Sequence, residues 1–444
     1  MIRRQQFAWR ALIVLVVVLN AGVVFVVIPQ MNARLHQMYN QDEYADGYDE
    51  LATNLAEGRG YRVYPDTALT TMREPGYPIL LAGLFLAFGK EFVAVKLTNV
   101  LLALAAAWLM TRIAGRVSTS QVLIVGAPLL FLFHPGTLIA ESRGGVEILF
   151  TFCLMLFLLT VYRAIENNRW SDYAISGVVL GFTVLVKSTP MLFPVFLLAY
   201  LVLFQKPSSI SSRCLHIGVM VVAMFLVLSP WIIRNYLLTG KFIPTASVLG
   251  VSAHAGQYVN THLTADGSWA LVDRDGARQR RKVAEELGYP FKPVENAYYQ
   301  DFYSTNDEVR FSNYLLKGVI AEYRRSPMTF VKCVSANIFN LWFRGKTRNS
   351  TILNTVVQLP YLILAIIGAI LTLRNKQAKV IAPMVLLLVY IVSVHVVILA
   401  QARYSVPLTP FLSILAGISL IAMQGRLSDT NQGKAAIRAE LTPQ

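Results

Sequence analysis

Charge is scarce in this chain, and cysteine is scarcer. Only 15% of its 444 residues are Asp, Glu, Lys or Arg, against about 25% in soluble domains, which excludes an ordinary water-soluble globule. The 3 cysteines, Cys153, Cys214 and Cys333, are scattered and imply no disulfide framework. No fixed period repeats along the chain, so a solenoid is excluded, and low complexity is confined to a polar tail from Ser428 onward. Acid is the rarer sign: 25 Asp and Glu face 40 Lys and Arg, a net charge of +15.

What the chain has in excess is apolar sequence, at 55% hydrophobic with a mean hydropathy of +0.51. Runs long enough to cross about 30 Å of hydrocarbon cover 8–28, 92–110, 215–233, 352–373, 380–399 and 406–423. Shorter or interrupted runs cover 121–133, 146–161, 174–186 and 191–204. The expected fold is all-α, a polytopic transmembrane bundle of about ten spans.

Basic residues order these spans. Arg3 and Arg4, Arg112 and Arg116, Arg163 and Arg169, Arg374 and Lys379 fall at alternate ends, as they do when loops rich in Lys and Arg stay in the cytoplasm. The positive charge is then a topogenic signal with an affinity for anionic lipid, and no nucleic-acid partner is needed to explain it. The first run lacks a small-residue cleavage site and reads as a retained anchor. The expected location is an inner (plasma) membrane of a bacterium, with both termini cytoplasmic.

This topology divides the chain into a cytoplasmic start and first span (1–28), a first outer loop with interfacial helices (29–90), spans two to seven (91–233), a large outer loop or small helical domain (234–350), the last three spans (351–424) and a cytoplasmic tail (425–444). Residues 77–88 are too short to cross and read as an interfacial helix.

The scarce acid gathers in the first outer loop. If 42–57 is helical, Asp42, Asp46 and Asp49 share one face and Tyr48, Leu51, Ala52 and Leu55 the other. A solvated surface helix is the plain alternative. The neighbours argue for more. Arg73-Glu74-Pro75-Gly76-Tyr77-Pro78 follows, Glu141, Arg143 and Glu147 stand at the outer end of the fourth span, and Lys187, Arg234 and Arg403 end or begin others. Carboxylates and isolated cations thus converge on one membrane face. A sugar on a lipid phosphate needs cations to hold the departing phosphate and a carboxylate to take the proton of an attacking hydroxyl.

At these residues the chain resembles the C-type membrane glycosyltransferases of the family 39 kind, the group of the protein O-mannosyltransferases and the lipid A aminoarabinose transferases. The likeness is carried by Asp46 to Tyr48, Leu51-Ala52, Gly58-Arg59-Gly60-Tyr61 and the 73–78 segment, then by Glu147-Ile148-Leu149-Phe150 and Lys187-Ser188-Thr189-Pro190. It continues through Pro230-Trp231 with Arg234-Asn235-Tyr236, Gly240-Lys241-Phe242-Ile243-Pro244 and Arg403-Tyr404-Ser405-Val406-Pro407. The resemblance implies a GT-C-like fold and an inverting transfer from a polyprenyl-phosphate-linked sugar donor to a lipid, glycan or protein acceptor. It also implies a catalytic carboxylate in the first outer loop. The family position falls at Tyr44, between Asp42 and Asp46, and Asp46 is favoured for its nearness to Tyr48. Glu74 stands where relatives carry proline.

The expected catalytic residues are therefore Asp46, Asp42 and Glu147. Those expected to bind lipid phosphate or sugar are Lys187, Arg234, Arg403, Tyr404, Arg73, Glu74, Tyr77 and Arg143. A metal stays open: oxygen ligands for Mg²⁺ or Mn²⁺ are present, but no ligand-spacing signature is. A flippase or transporter, an outer-leaflet glycan ligase and a packing partner without chemistry, through Gly177 and Gly181, are the competing readings.

Overall fold

The computed structural model describes residues 14–30, 46–204, 209–263, 269–292, 301–374 and 378–440. Among them no β-strand forms and the architecture is all-helical. A bilayer leaves backbone N–H and C=O groups no water to pair with, so apolar runs satisfy them internally as helices. Val14–Gln30 (α1) opens the described residues. Tyr48–Ala56 (α2) and Gly76–Phe88 (α3) lie in the first loop, between α1 and Phe92–Val117 (α4). Gln121–Leu132 (α5) and Pro135–Glu141 (α6) meet at a 56° bend, where Pro135 sits at the start of the new helix. Glu147–Asn167 (α7), Trp170–Val186 (α8), Phe193–Phe204 (α9) and Ile210–Thr239 (α10) complete the first part.

A second long segment holds Leu249–His262 (α11), Trp269–Glu286 (α12), Thr305–Arg325 (α13) and Pro327–Trp342 (α14). Arg348–Arg374 (α15), Ala378–Ile398 (α16) and Thr409–Glu440 (α17) close the bundle, α17 entered through a 3₁₀ turn over Ala402–Leu408. Among the described residues 6 helices are long and apolar enough to cross a membrane, or 7 with the bent α5–α6 pair. The expected ten were reached by adding α1, α8 and the Thr189–Phe204 stretch, which are apolar but shorter.

The centre of the bundle is α7, whose Ile148, Leu154, Met155, Phe157 and Leu158 are wholly buried. Outward faces keep large apolar side chains such as Leu101, Leu226, Leu237 and Val389 exposed, as lipid-facing surfaces do. Gly177 and Gly181 are engaged inside the chain: a Cβ on Gly177 would lie 2.2 Å from the Met220 carbonyl oxygen of α10. The small-residue pair therefore lets α8 and α10 approach closely and does not require a partner protein.

Outside the bundle a second apolar cluster joins Met72 of the first loop to Val251, Ala284, Phe302, Phe311 and Leu315 of the second segment. The first loop and the second segment thus pack on each other. A buried polar knot reinforces them. Glu308 on α13 accepts from the Thr70 hydroxyl at 2.6 Å, the Thr71 amide at 2.8 Å and the Thr71 hydroxyl at 2.9 Å.

Candidate active site

The expected helix over 42–57 is corrected at its start. Asp46 has φ 61° and Gly47 φ 74°, both left-handed, and α2 begins only at Tyr48. Asp and Gly are among the residues that tolerate this backbone. Asp46 is thereby not on a helical face with Asp49. The turn places its carboxylate among cations from distant parts of the chain, while Asp49 pairs with Lys90 at 3.2 Å. Asp42 lies outside the described residues.

Arg403, on the 3₁₀ turn before α17, is the hub. Its Nη2 is 2.9 Å from Asp46 Oδ2 and donates to Oδ1 at 3.2 Å. Its Nε donates to Gln401 Oε1 at 2.9 Å and is 3.8 Å from Glu147 Oε1. Arg73 Nη2, from the same loop as Asp46, is 3.8 Å from Asp46 Oδ1. Burial pushes the Asp46 carboxyl up, but Arg403 and Arg73, helped by Lys187, outweigh it and hold it below the usual carboxylate range. The carboxylate keeps 26% of its side-chain surface exposed.

Lys187 follows the last residue of α8 in extended conformation, just before Thr189-Pro190 begins a 3₁₀ turn. Its ammonium lies 4.0 Å from the Tyr404 ring centroid and 5.8 Å from that of Phe150. Burial brings the Lys187 pKa down to about 8, although Glu147 opposes the fall. Tyr404 also carries His395 stacked at 4.9 Å. Glu74 accepts the Ser188 amide at 3.1 Å, so this acid fastens the first loop to the Lys187 turn.

Tyr77 is buried and meets Tyr48 edge-on at 5.2 Å, packing α3 against α2. Arg143 sits between α6 and α7, and its carbonyl accepts from Asn99 at 2.8 Å. Burial pulls the Arg143 guanidinium down from its usual value while Glu147 pulls it up. Arg234 is turned elsewhere: it donates to the Thr70 carbonyl at 2.8 Å and to Asn235 at 2.9 Å, and its guanidinium lies 4.5 Å from the Trp231 ring centroid. The structure therefore brings Asp46, Arg73, Glu147, Lys187, Arg403 and Tyr404 together and sets Arg234 beside the Thr70–Glu308 knot.

Two groups escaped the sequence reading. Gln401 orients Arg403 as described. Asp273, on α12, lies within electrostatic range of the hub; burial raises its pKa, Arg280 and Arg403 draw it back, and Asp46 adds to the rise. The amphipathic pattern of 269–286 could have flagged a face turned toward the bundle, but not which carboxylate lies on it. Among the described residues no group of three or more His, Cys, Asp or Glu side chains comes together to hold a metal. The carboxylates of the hub face guanidinium groups, a donor set that does not suit Mg²⁺ or Mn²⁺.

The site segments overlap a known family model. Residues 73–233 match the model described as dolichyl-phosphate-mannose-protein mannosyltransferase, a stretch that includes Arg73, Glu74, Arg143, Glu147 and Lys187. No curated protein matches the chain. Among solved structures, ArnT from Cupriavidus metallidurans bound to undecaprenyl phosphate is similar with 14% identity and a TM-score of 0.39, over 91% of this chain and 77% of that one. Apo ArnT from the same organism gives 12% identity and a TM-score of 0.36, over 84% and 72%. Overlaps that loose transfer no residue roles. The sequence match is the firmer finding: over 73–233 the chain is similar to the dolichyl-phosphate-mannose-protein mannosyltransferase model.

Proposed function

We propose that the protein transfers a sugar from a polyprenyl-phosphate-linked donor to an acceptor hydroxyl at the membrane face where Asp46 lies, with inversion at the anomeric carbon. The observation that carries this reading is a carboxylate, Asp46, held among Arg403, Arg73 and Lys187. The family match over 73–233 supports the same chemistry.

In the proposed reaction the acceptor oxygen attacks the anomeric carbon from the side opposite the phosphate. The bond from that carbon to the phosphate oxygen breaks, and its electron pair leaves with the lipid phosphate. The acceptor proton passes to Asp46. Arg403, Arg73 and Lys187 hold the phosphate as its charge grows, with Tyr404 beneath Lys187 and Glu147 bracing Arg403. Arg143 serves from the rim, and Glu74 and Tyr77 position the loop; Arg234 secures the outer segments. Asp46 is a weak base while two guanidiniums face it. A donor phosphate among the same cations would share their charge and raise its basicity.

The test is purified protein incubated with radiolabelled polyprenyl-phosphate sugars and hydroxyl acceptors, with release of free lipid phosphate and the anomeric configuration of the product both followed. Mass spectrometry of cell-envelope glycans with and without the protein identifies the acceptor. Transfer of a preassembled oligosaccharide, or retention of configuration, would overturn the reading.

A further inference from the structure

A second charged site lies at the other end of the same helices. Arg112 and Arg116 of α4 and Arg163 of α7 line a cleft of about 710 Å³, with Ile124, Leu156 and Leu159 forming its apolar part. Glu147 and Arg163 are sixteen residues apart on α7, which at 1.5 Å per residue separates the cleft from the Asp46 hub by roughly 24 Å along the bundle.

The arrangement is graded along α7. Leu156 and Leu159 come first, deeper in the helix, and Arg163 stands near its end. Trp108, 59% exposed, sits one turn before Arg112, whose guanidinium lies 5.8 Å from its ring centroid; Trp170 is 65% exposed at the same end of the bundle. Exposed tryptophans beside arginines mark the level of the lipid head groups.

The charges in the cleft are unequally matched. Arg116 is paired with Glu166 at 2.8 Å and Arg163 with Asp172 at 2.7 Å. Arg112 is exposed and has no carboxylate partner among the described residues. The floor carries Gly115, where an added Cβ would meet nothing within 4 Å. An open apolar floor leading to a surplus guanidinium at head-group level fits a molecule with an anionic head and a hydrocarbon tail.

We infer that this cleft binds the phosphate head group of an anionic membrane phospholipid, with the start of an acyl chain along Ile124, Leu156 and Leu159. The full chain in neutral detergent, offered phosphatidylglycerol and phosphatidylcholine in equal amount, is expected to retain phosphatidylglycerol in native mass spectrometry. Arg112→Gln should weaken that retention about fivefold. Gly115→Leu, which fills the floor and keeps every charge, should weaken it without lowering the melting temperature. Arg169→Gln, an exposed cation at the same end but outside the cleft, should leave it unchanged. The inference is overturned if Arg112→Gln and Gly115→Leu retain the lipid like the wild type, or if Arg169→Gln weakens it equally. It is also overturned if inorganic phosphate displaces the lipid in full, which would make the ligand a free anion.

Discussion

Asp46 owes its chemistry to residues from other parts of the chain. Its left-handed backbone aims the carboxylate at Arg403, 357 positions away in sequence. Asp46→Asn keeps the shape and removes the proposed base. Turnover with a saturating donor is expected to fall roughly 100- to 10,000-fold, with donor binding, measured separately by titration, largely kept. Equal loss of binding and turnover would argue for a purely structural carboxylate. Lys187 adds a pH signature. Its pKa lies at about 8, and only the protonated form attracts a phosphate, so the donor KM should climb as pH rises through that value. Lys187→Arg retains a charge at any working pH and should flatten the climb, which a pH series of donor KM values reads directly.

At the scale of elements, the site depends on how the first loop is fastened. α3 starts at Gly76, where a Cβ would come within 2.8 Å of the Leu185 carbonyl of α8. Gly76→Ala should therefore push α3 from α8 and cost about 1–3 kcal/mol, seen as a lower melting temperature in detergent. The Thr70–Thr71–Glu308 knot ties the first loop to α13. Burial raises the Glu308 pKa to about 7 against the hydrogen bonds that pull it down. A raised folded-state pKa means the knot's contribution is complete below the ordinary carboxylate value, near 4.5, and is lost as pH rises through about 7. Amide exchange at 70–72 should accordingly quicken across that window relative to Glu308→Gln at the same pH. Glu308→Ala, which strands three donors, should cost about 1–3 kcal/mol at mildly acid pH.

At the scale of the whole molecule, the Asp46 hub and the Arg112 cleft occupy opposite ends of α4 and α7. If the bundle spans a membrane as its apolar helices require, Glu57→Cys and Arg169→Cys, each in a background without the native cysteines, should react with an impermeant maleimide from opposite sides. Reaction of both from one side would refute the topology.

Much of this layout is legible in the sequence because lipid imposes a severe rule. A helix that must satisfy its own backbone in hydrocarbon announces itself by an unbroken apolar run. The runs at 92–110, 215–233 and 380–399 were visible for that reason and became α4, α10 and α16, and Arg73, Glu147, Lys187 and Arg403 stood out as rare charges at the ends of apolar runs. Composition and pattern thus determined that the chain is a helical membrane protein with a charged face. Tertiary structure alone decided which charges meet. The left-handed turn at Asp46 broke the expected helical face, the tight approach of α8 to α10 through Gly177 gave the small-residue pair an internal use, and folding of the second outer segment set Arg234 beside Thr70 and brought Asp273 near the hub. Electrostatic pairing acts over a few ångströms between residues hundreds of positions apart, a distance that no periodicity along the chain encodes.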